Sequence, residues 1–245
     1  MSDQVFDKNS KKNVIQFAFL LSIICSLLIT GAASGLKELQ QENIKLDKKI
    51  NILKAANLIT GKQKPPKDVI VNLYKDHIQE VIVDNSGKTI DKETPESMHL
   101  YFYQTHNMIN GYILPINSKG LWGKIRGYLA FENDGQTVSG FSVFSHSETP
   151  GLGGEIENAW FRKNFKGKKI LNSQNNFVSV GIAKGKVKNL PTNLQDHYVD
   201  GISGATLTGQ YLSEGIKTTL AKYEPVSISF RQKNLKAMDI HQNKE

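Results

Sequence analysis

Nine consecutive residues, Asp200-Gly-Ile-Ser203-Gly204-Ala205-Thr206-Leu207-Thr208, combine small side chains with two threonine hydroxyls at the head of an apolar-periodic run. Ser203 is a favoured helix N-cap type, which would place Gly204, Ala205 and Thr206 in a first helical turn. The N–H groups of such a turn lack helical partners and the helix dipole is positive there, so an anion, above all a phosphate, is stabilised. Gly204 and Ala205 let a bulky ligand approach the backbone closely. Thr206 and Thr208 then set hydroxyls beside a phosphate site. Capped helix starts with small residues also occur as plain structure, and that reading stands beside the phosphate one. Gly201-Ile-Ser203-Gly204 has a distant likeness to the hydrolase nucleophile elbow Gly-x-Ser-x-Gly. Its second glycine is one place early and no alternating β and α units surround it, so hydrolase chemistry is not expected.

Two further segments could carry chemistry. Ser145-His-Ser-Glu148-Thr149-Pro-Gly151-Leu152-Gly153-Gly154-Glu155 follows a strand signal and has three glycines in four residues. It is neither a dinucleotide Gly-x-Gly-x-x-Gly nor a P-loop. It reads as a tight structural loop or as a loop folded over a flat ligand ring. In Ser118-Lys-Gly120-Leu121-Trp122-Gly123, a tryptophan between glycines suits stacking on an aromatic heterocycle and equally suits a corner of the core. The six histidines are scattered without metal-ligand spacing, and the single cysteine, Cys25, excludes an intrachain disulfide or a cysteine-bound cluster. No catalytic side chain and no metal site are expected. The net charge of +8 is spread out, with no basic stripe interleaved with aromatics, so nucleic acid is not an expected partner. A basic domain instead suits anionic lipid or an acidic partner subunit.

The elements that must position these segments read as α+β. Val81–Val83 before Asn85-Ser-Gly87, Leu100–Tyr103 and Tyr112–Leu114 are strand candidates. Ile125–Phe131, the turn Asn133-Asp-Gly135 and Val138–Phe144 form a hairpin signal. Glu155–Phe165 fits a helix and Phe177–Ile182 a strand. Ser203–Tyr223 fits an amphipathic helix with Leu212, Ile216 and Leu220 at four-residue steps, closed by Pro225.

Residues 14–36 carry no charged side chain, which is long enough for a bilayer-spanning helix and longer than a signal-peptide core. The small-residue stretch Gly31-Ala-Ala-Ser34 leaves a cleaved signal peptide as the rival reading. Lys8, Lys11 and Lys12 before the run place residues 1–13 in the cytoplasm and the rest outside. Residues 37–66 read as a membrane-proximal helix and linker. Leu39, Leu46 and Leu53 at seven-residue steps suit either packing on the chain's own domain or docking on a partner, and Gly61–Pro66 ends that helix. A domain over 67–230 and a polar tail over 231–245 complete the division.

Taken together, Glu148–Gly154 and Asp200–Thr206 resemble the glycine loop and the attachment motif of the FMN-binding domain family of respiratory and flavin-transfer systems. The finer likeness, from Asn51-Ile-Leu-Lys-Ala-Ala56 and Gly120-Leu-Trp122 with one N-terminal membrane helix, is to the C subunits of Na+-translocating NADH:quinone reductases. The G subunits of Rnf electron-transfer complexes are less similar around residues 114–128. The resemblance implies an antiparallel sheet with flanking helices behind the membrane helix. It implies FMN esterified through its phosphate to Thr206, attached by a separate flavin transferase with FAD as donor. Ser203, Gly204, Ala205, Leu207, Thr208, Asp200, Glu148, Thr149, Leu152, Gly153, Leu121 and Trp122 are the implied cofactor-binding residues. Lys119 is a candidate to offset the flavin's negative charge. The implied activity is electron transfer within an NADH:ubiquinone reductase of the bacterial inner membrane, beside other subunits, with the FMN domain periplasmic. The contrasting expectation is a membrane-anchored assembly module without redox chemistry.

Overall fold

The computed structural model describes residues 11–59, 65–106 and 108–233. The first element, α1, runs unbroken over Lys11–Ala55. Its N-terminal part is long and apolar enough to cross a membrane. Ser22 returns its hydroxyl to the Ala18 carbonyl at 2.8 Å, so this polar side chain is satisfied within the helix. The chain divides into two compact units at Lys45/Leu46. The heptad leucines therefore separate. Leu39 is exposed, whereas Leu46 and Leu53 pack within the globular unit, the first partly and the second fully buried. The helix ends in a Schellman arrangement: Leu58 N–H reaches Leu53 O and Asn57 N–H reaches Lys54 O, with Asn57 at φ +58°. Asn57 is thus the cap of the helix. The expected linker falls mostly outside the described residues, as does the end of the polar tail.

Five antiparallel strands form a meander in sequence order: β1 (Ile78–Val83), β2 (Met98–Thr105), β3 (Met108–Lys119), β4 (Lys124–Glu132) and β5 (Val138–Ser145). Successive side chains in a strand point to opposite faces, and here both faces are covered. Leu100, Phe102, Tyr112, Leu114, Leu129 and Phe131 enter one apolar cluster; Tyr101, Tyr103, Ile113, Tyr128 and Ala130 enter the other. The second face is covered by the end of α1 and by α2 (Lys67–His77). Gly140 permits that approach, because a Cβ there would lie 2.2 Å from Ala55 O. The first face is covered by α3 (Ala159–Lys163), α5 (Thr206–Lys222) and α6 (Glu224–Arg231). A one-turn α4 (Thr192–Gln195) precedes β7 (Tyr198–Val199), which pairs in parallel with β6 (Gly181–Ile182).

Several expectations need correction. The domain expected from residue 67 opens on a helix, α2, ahead of the Val81–Val83 strand candidate. Glu155–Phe165 is not one helix: a 3-10 turn over Gly153–Glu157 stops at the extended Asn158, and α3 follows. Phe177–Ile182 is strand only at its end, because Ser179 at φ +69° leaves the extended region. Pro225 does not terminate structure; it occupies the first turn of α6, where a missing N–H costs nothing.

Candidate functional site

Helix α5 begins at Thr206, two residues later than a Ser203 cap would give. The chain first makes a turn closed by Ala205 N–H to Ile202 O, with Gly204 at φ +73°, a conformation glycine adopts without strain. Ala205 holds the N-cap position and donates no side-chain cap. The first bond into the helix runs from Gly209 N–H to Ala205 O, so the N–H groups of residues 206–208 precede the helical ladder. Thr206 is exposed there. Two residues on, Thr208 is 2% exposed and its hydroxyl donates to Glu148 Oε2 at 2.5 Å.

Glu148 also binds the third segment. Its Oε1 accepts the backbone N–H groups of Leu121 at 2.8 Å and Trp122 at 3.2 Å. The 118–123 hairpin loop, the 145–154 loop and the start of α5 therefore meet at one carboxylate. Between them lies a cleft of about 250 Å³, lined by Leu121, Trp122, Glu148, Thr149, Leu152, Gly153 and residues 204–208. Leu121, Trp122, Leu152 and Leu207 are large apolar side chains left in solvent around its mouth, Trp122 at 70% exposure. Trp122 is thus no corner of the core. Exposed apolar groups clustered at a concave site are the usual mark of a surface that receives a ligand or a partner.

Residues 120–221 match the family model described as FMN-binding domain. The C subunit of the Na(+)-translocating NADH-quinone reductase of Vibrio vulnificus is 32% identical over 237 residues, covering 86% of this chain and 89% of its own. Its Haemophilus ducreyi counterpart is 33% identical over 240 residues, covering 86% and 90%. The chain belongs to the family of Na(+)-translocating NADH-quinone reductase C subunits. The crystal structure of the Parabacteroides distasonis family member superposes with a TM-score of 0.68 at 27% identity, covering 78% of this chain and 96% of that one. The Shewanella oneidensis NqrC structure shares the fold, with a TM-score of 0.63 at 18% identity. Every residue lining the cleft falls inside the matched FMN-binding segment.

Two of the residues expected at the site of this family do not line the cleft. Asp200 points its carboxylate at the neighbouring loop, accepting Val187 N–H at 2.7 Å and pairing with Lys186 Nζ at 2.9 Å. Partial burial opposes its ionisation, but the Val187 N–H and the Lys186 ammonium outweigh that and hold its carboxyl below the usual range. Its work is to pin the 184–187 loop against the strand end, where Gly201 leaves no room for a side chain: a Cβ would lie 2.1 Å from Ala183 O. Ser203 is exposed in the turn and caps nothing. Lys119 extends over the Tyr211 ring at 5.3 Å and does not line the cleft. Among the described residues, no group of three or more His, Cys, Asp or Glu side chains is placed to hold a metal. The separation of Thr206 from Thr208 into exposed and bonded hydroxyls was not readable locally, because the partner of Thr208 lies 60 residues away.

The glycines of the 148–154 loop have separable roles. A Cβ on Gly153 would lie 2.6 Å from Thr208 Oγ1 and 2.7 Å from Glu148 Oε2. Gly151, at φ +74°, has nothing within 4 Å. Gly153→Ala is expected to force this link apart and lower ligand retention, with a stability loss of about 1–3 kcal/mol. Gly151→Ala is expected to cost about 1–2 kcal/mol through its backbone alone and to leave the cleft intact. Chemical denaturation together with flavin content of the purified variants separates the two. Equal flavin loss in both would defeat the assignment.

Proposed function

We propose that this chain is an electron-carrying subunit of a membrane Na+-translocating NADH:quinone reductase and holds FMN as a phosphoester on Thr206. The observation that carries this reading is the contrast between the two threonines: Thr206 offers an exposed hydroxyl at the cleft mouth, while that of Thr208 is buried on Glu148. The phosphodiester would keep one negative charge, which the start of the 17-residue α5 favours. The cleft suits a flat, mostly apolar ring. Gly204 leaves the close approach open, since even a Cβ there would meet Leu152 Cδ2 at 2.8 Å. Leu121, Trp122, Leu152 and Leu207 supply apolar walls, and Thr149 a polar edge. FMN, when bound, supplies the one- and two-electron redox chemistry. The protein's own part is to orient the ring, exclude water from one side and hold it without dissociation.

Attachment by a flavin transferase with FAD as donor balances without redox change. The Thr206 Oγ–H bond is replaced by an Oγ–P bond to the FMN phosphorus, the pyrophosphate P–O bond breaks, AMP departs and the hydroxyl proton passes to solvent. Positive charge on Lys11 and Lys12, ahead of the apolar stretch, supports an N-terminus in the cytoplasm and a periplasmic cofactor domain. A single helix without intramembrane charge makes no ion path, so sodium movement falls to other subunits of the complex.

The test is intact-mass measurement with peptide mapping over residues 200–210, after coexpression with a flavin transferase. One FMN adduct on Thr206, surviving acid precipitation as yellow protein, is the expected result. An unmodified chain, or an adduct on another residue, would sink the proposal.

A further inference from the structure

We infer that Glu148 is the positioning residue of the Thr206 site, one buried carboxylate that sets the Trp122 lip against helix α5 and determines which threonine is free to take the phosphate. The inference rests on the attachment reading above. A carboxylate at 4% exposure is costly unless its oxygens are bonded, and here both are. Oε1 takes the consecutive Leu121 and Trp122 N–H groups, an arrangement suited to an anion, and Oε2 takes the Thr208 hydroxyl. The donors lie 26 to 60 residues away in sequence, so these bonds fix tertiary spacing and not a local turn.

Space is cleared for the carboxylate from two sides. A Cβ on Gly120 would lie 2.4 Å from Oε1, and one on Gly153 2.7 Å from Oε2. The residue's own backbone is held as well: Glu148 N–H donates to His146 Nδ1 at 3.1 Å, and the opposite nitrogen of that ring faces Glu157 at 3.4 Å. Glu148 thus acts on the ligand through other groups. It orients the two apolar side chains of the lip through their backbone.

The same contact makes the two threonines unequal. A phosphoester on Thr208 would replace the hydrogen that Glu148 accepts and press a second negative charge against a buried carboxylate. On Thr206 the phosphate meets solvent and the start of α5 instead.

The test uses the full chain in detergent, coexpressed with a flavin transferase, and compares wild type with Glu148→Leu, Glu148→Gln and Thr208→Val. Leucine removes both acceptors. It is expected to lower the Thr206 adduct formed in a fixed time about tenfold or more and to brighten the emission of what flavin remains, as the lip loosens. Glutamine keeps a carbonyl oxygen for the two amides and turns its NH2 toward Thr208 Oγ1. It is expected to restore most of the adduct, and to shift the flavin midpoint potential positive because a buried charge is gone. Thr208→Val cuts one link without touching the carboxylate and should fall between wild type and Glu148→Leu, which keeps the test decisive if the leucine variant does not fold. Full modification with unchanged emission in both Glu148→Leu and Thr208→Val overturns the inference, as does Glu148→Gln behaving like Glu148→Leu. An unmodified wild type instead defeats the attachment reading, and the inference with it.

Discussion

Replacing Thr206 by alanine is expected to remove the covalent flavin completely while leaving the domain folded. Among the described residues the Thr206 side chain takes part in no hydrogen bond, and it lies exposed on the first turn of α5. Alanine is the better helix former, so stability should change by no more than about 0.5 kcal/mol. Loss of the adduct then reports loss of the hydroxyl and not of the fold. The neighbouring Thr208 should not substitute, because its hydroxyl is buried and bonded to Glu148. Thr208→Ala is predicted to do the reverse: the Thr206 adduct persists at a reduced level and unfolding becomes easier by about 1–3 kcal/mol, since it leaves Glu148 Oε2 without its donor. Intact mass and in-gel fluorescence read the first effect, and denaturant midpoints the second. Covalent flavin on Thr206→Ala would move the attachment point elsewhere.

What was legible in the sequence follows from how local each signal is. The β4–β5 hairpin is readable because Asn133-Asp-Gly135 has a local cause: Asp134 Oδ1 accepts the N–H groups of Gln136 and Thr137, and Gly135 sits at φ +70°. The strands are readable although they do not alternate polar with apolar. Leu100-Tyr-Phe-Tyr103 is apolar at both parities because both faces of the sheet are covered. Helix α2 escaped because only Ile70 is fully buried, with Leu73 and Tyr74 half-covered, so its periodicity is faint. Helix α6 escaped because Pro225 reads as an end unless it is known to open a new helix.

At the cleft, residue type pointed to the lining residues better than to their tasks. Asp200 and Ser203 belong to the motif, but the first braces a loop and the second sits exposed in a turn. Neither role can be read without the Val187 amide or the Gly204 dihedral. Glu148 was legible as a member of the glycine loop and illegible as a brace, because its three donors come from segments that only the sheet and α5 bring together.

Phe230→Ala is expected to be the most destabilising of these substitutions, and to do so without touching the site. Phe230 is 1% exposed, with its ring 4.4 Å from that of Tyr112 and 5.9 Å from that of Phe102. Tyr112 in turn stacks on Phe131 and bonds Ser227 through its hydroxyl at 2.8 Å. Two turns of the sheet abut the same helix: a Cβ on Gly135 would lie 2.5 Å from Ser227 O, and one on Gly87 3.1 Å from Val226 N. With so many neighbours fixed, the cavity left by the ring cannot collapse, and a loss of about 3–5 kcal/mol follows. For a domain of this size that lowers the melting temperature by about 6–20 °C. Helix α5 has 17 residues and so separates Thr206 from the start of α6 by about 25 Å. The covalent flavin should therefore be retained in full well below the lowered midpoint, read by circular dichroism for the fold and by mass for the adduct. Loss of the adduct from folded Phe230→Ala would show that α5 couples the two ends, and that the cleft is not built by Glu148 and its three donors alone.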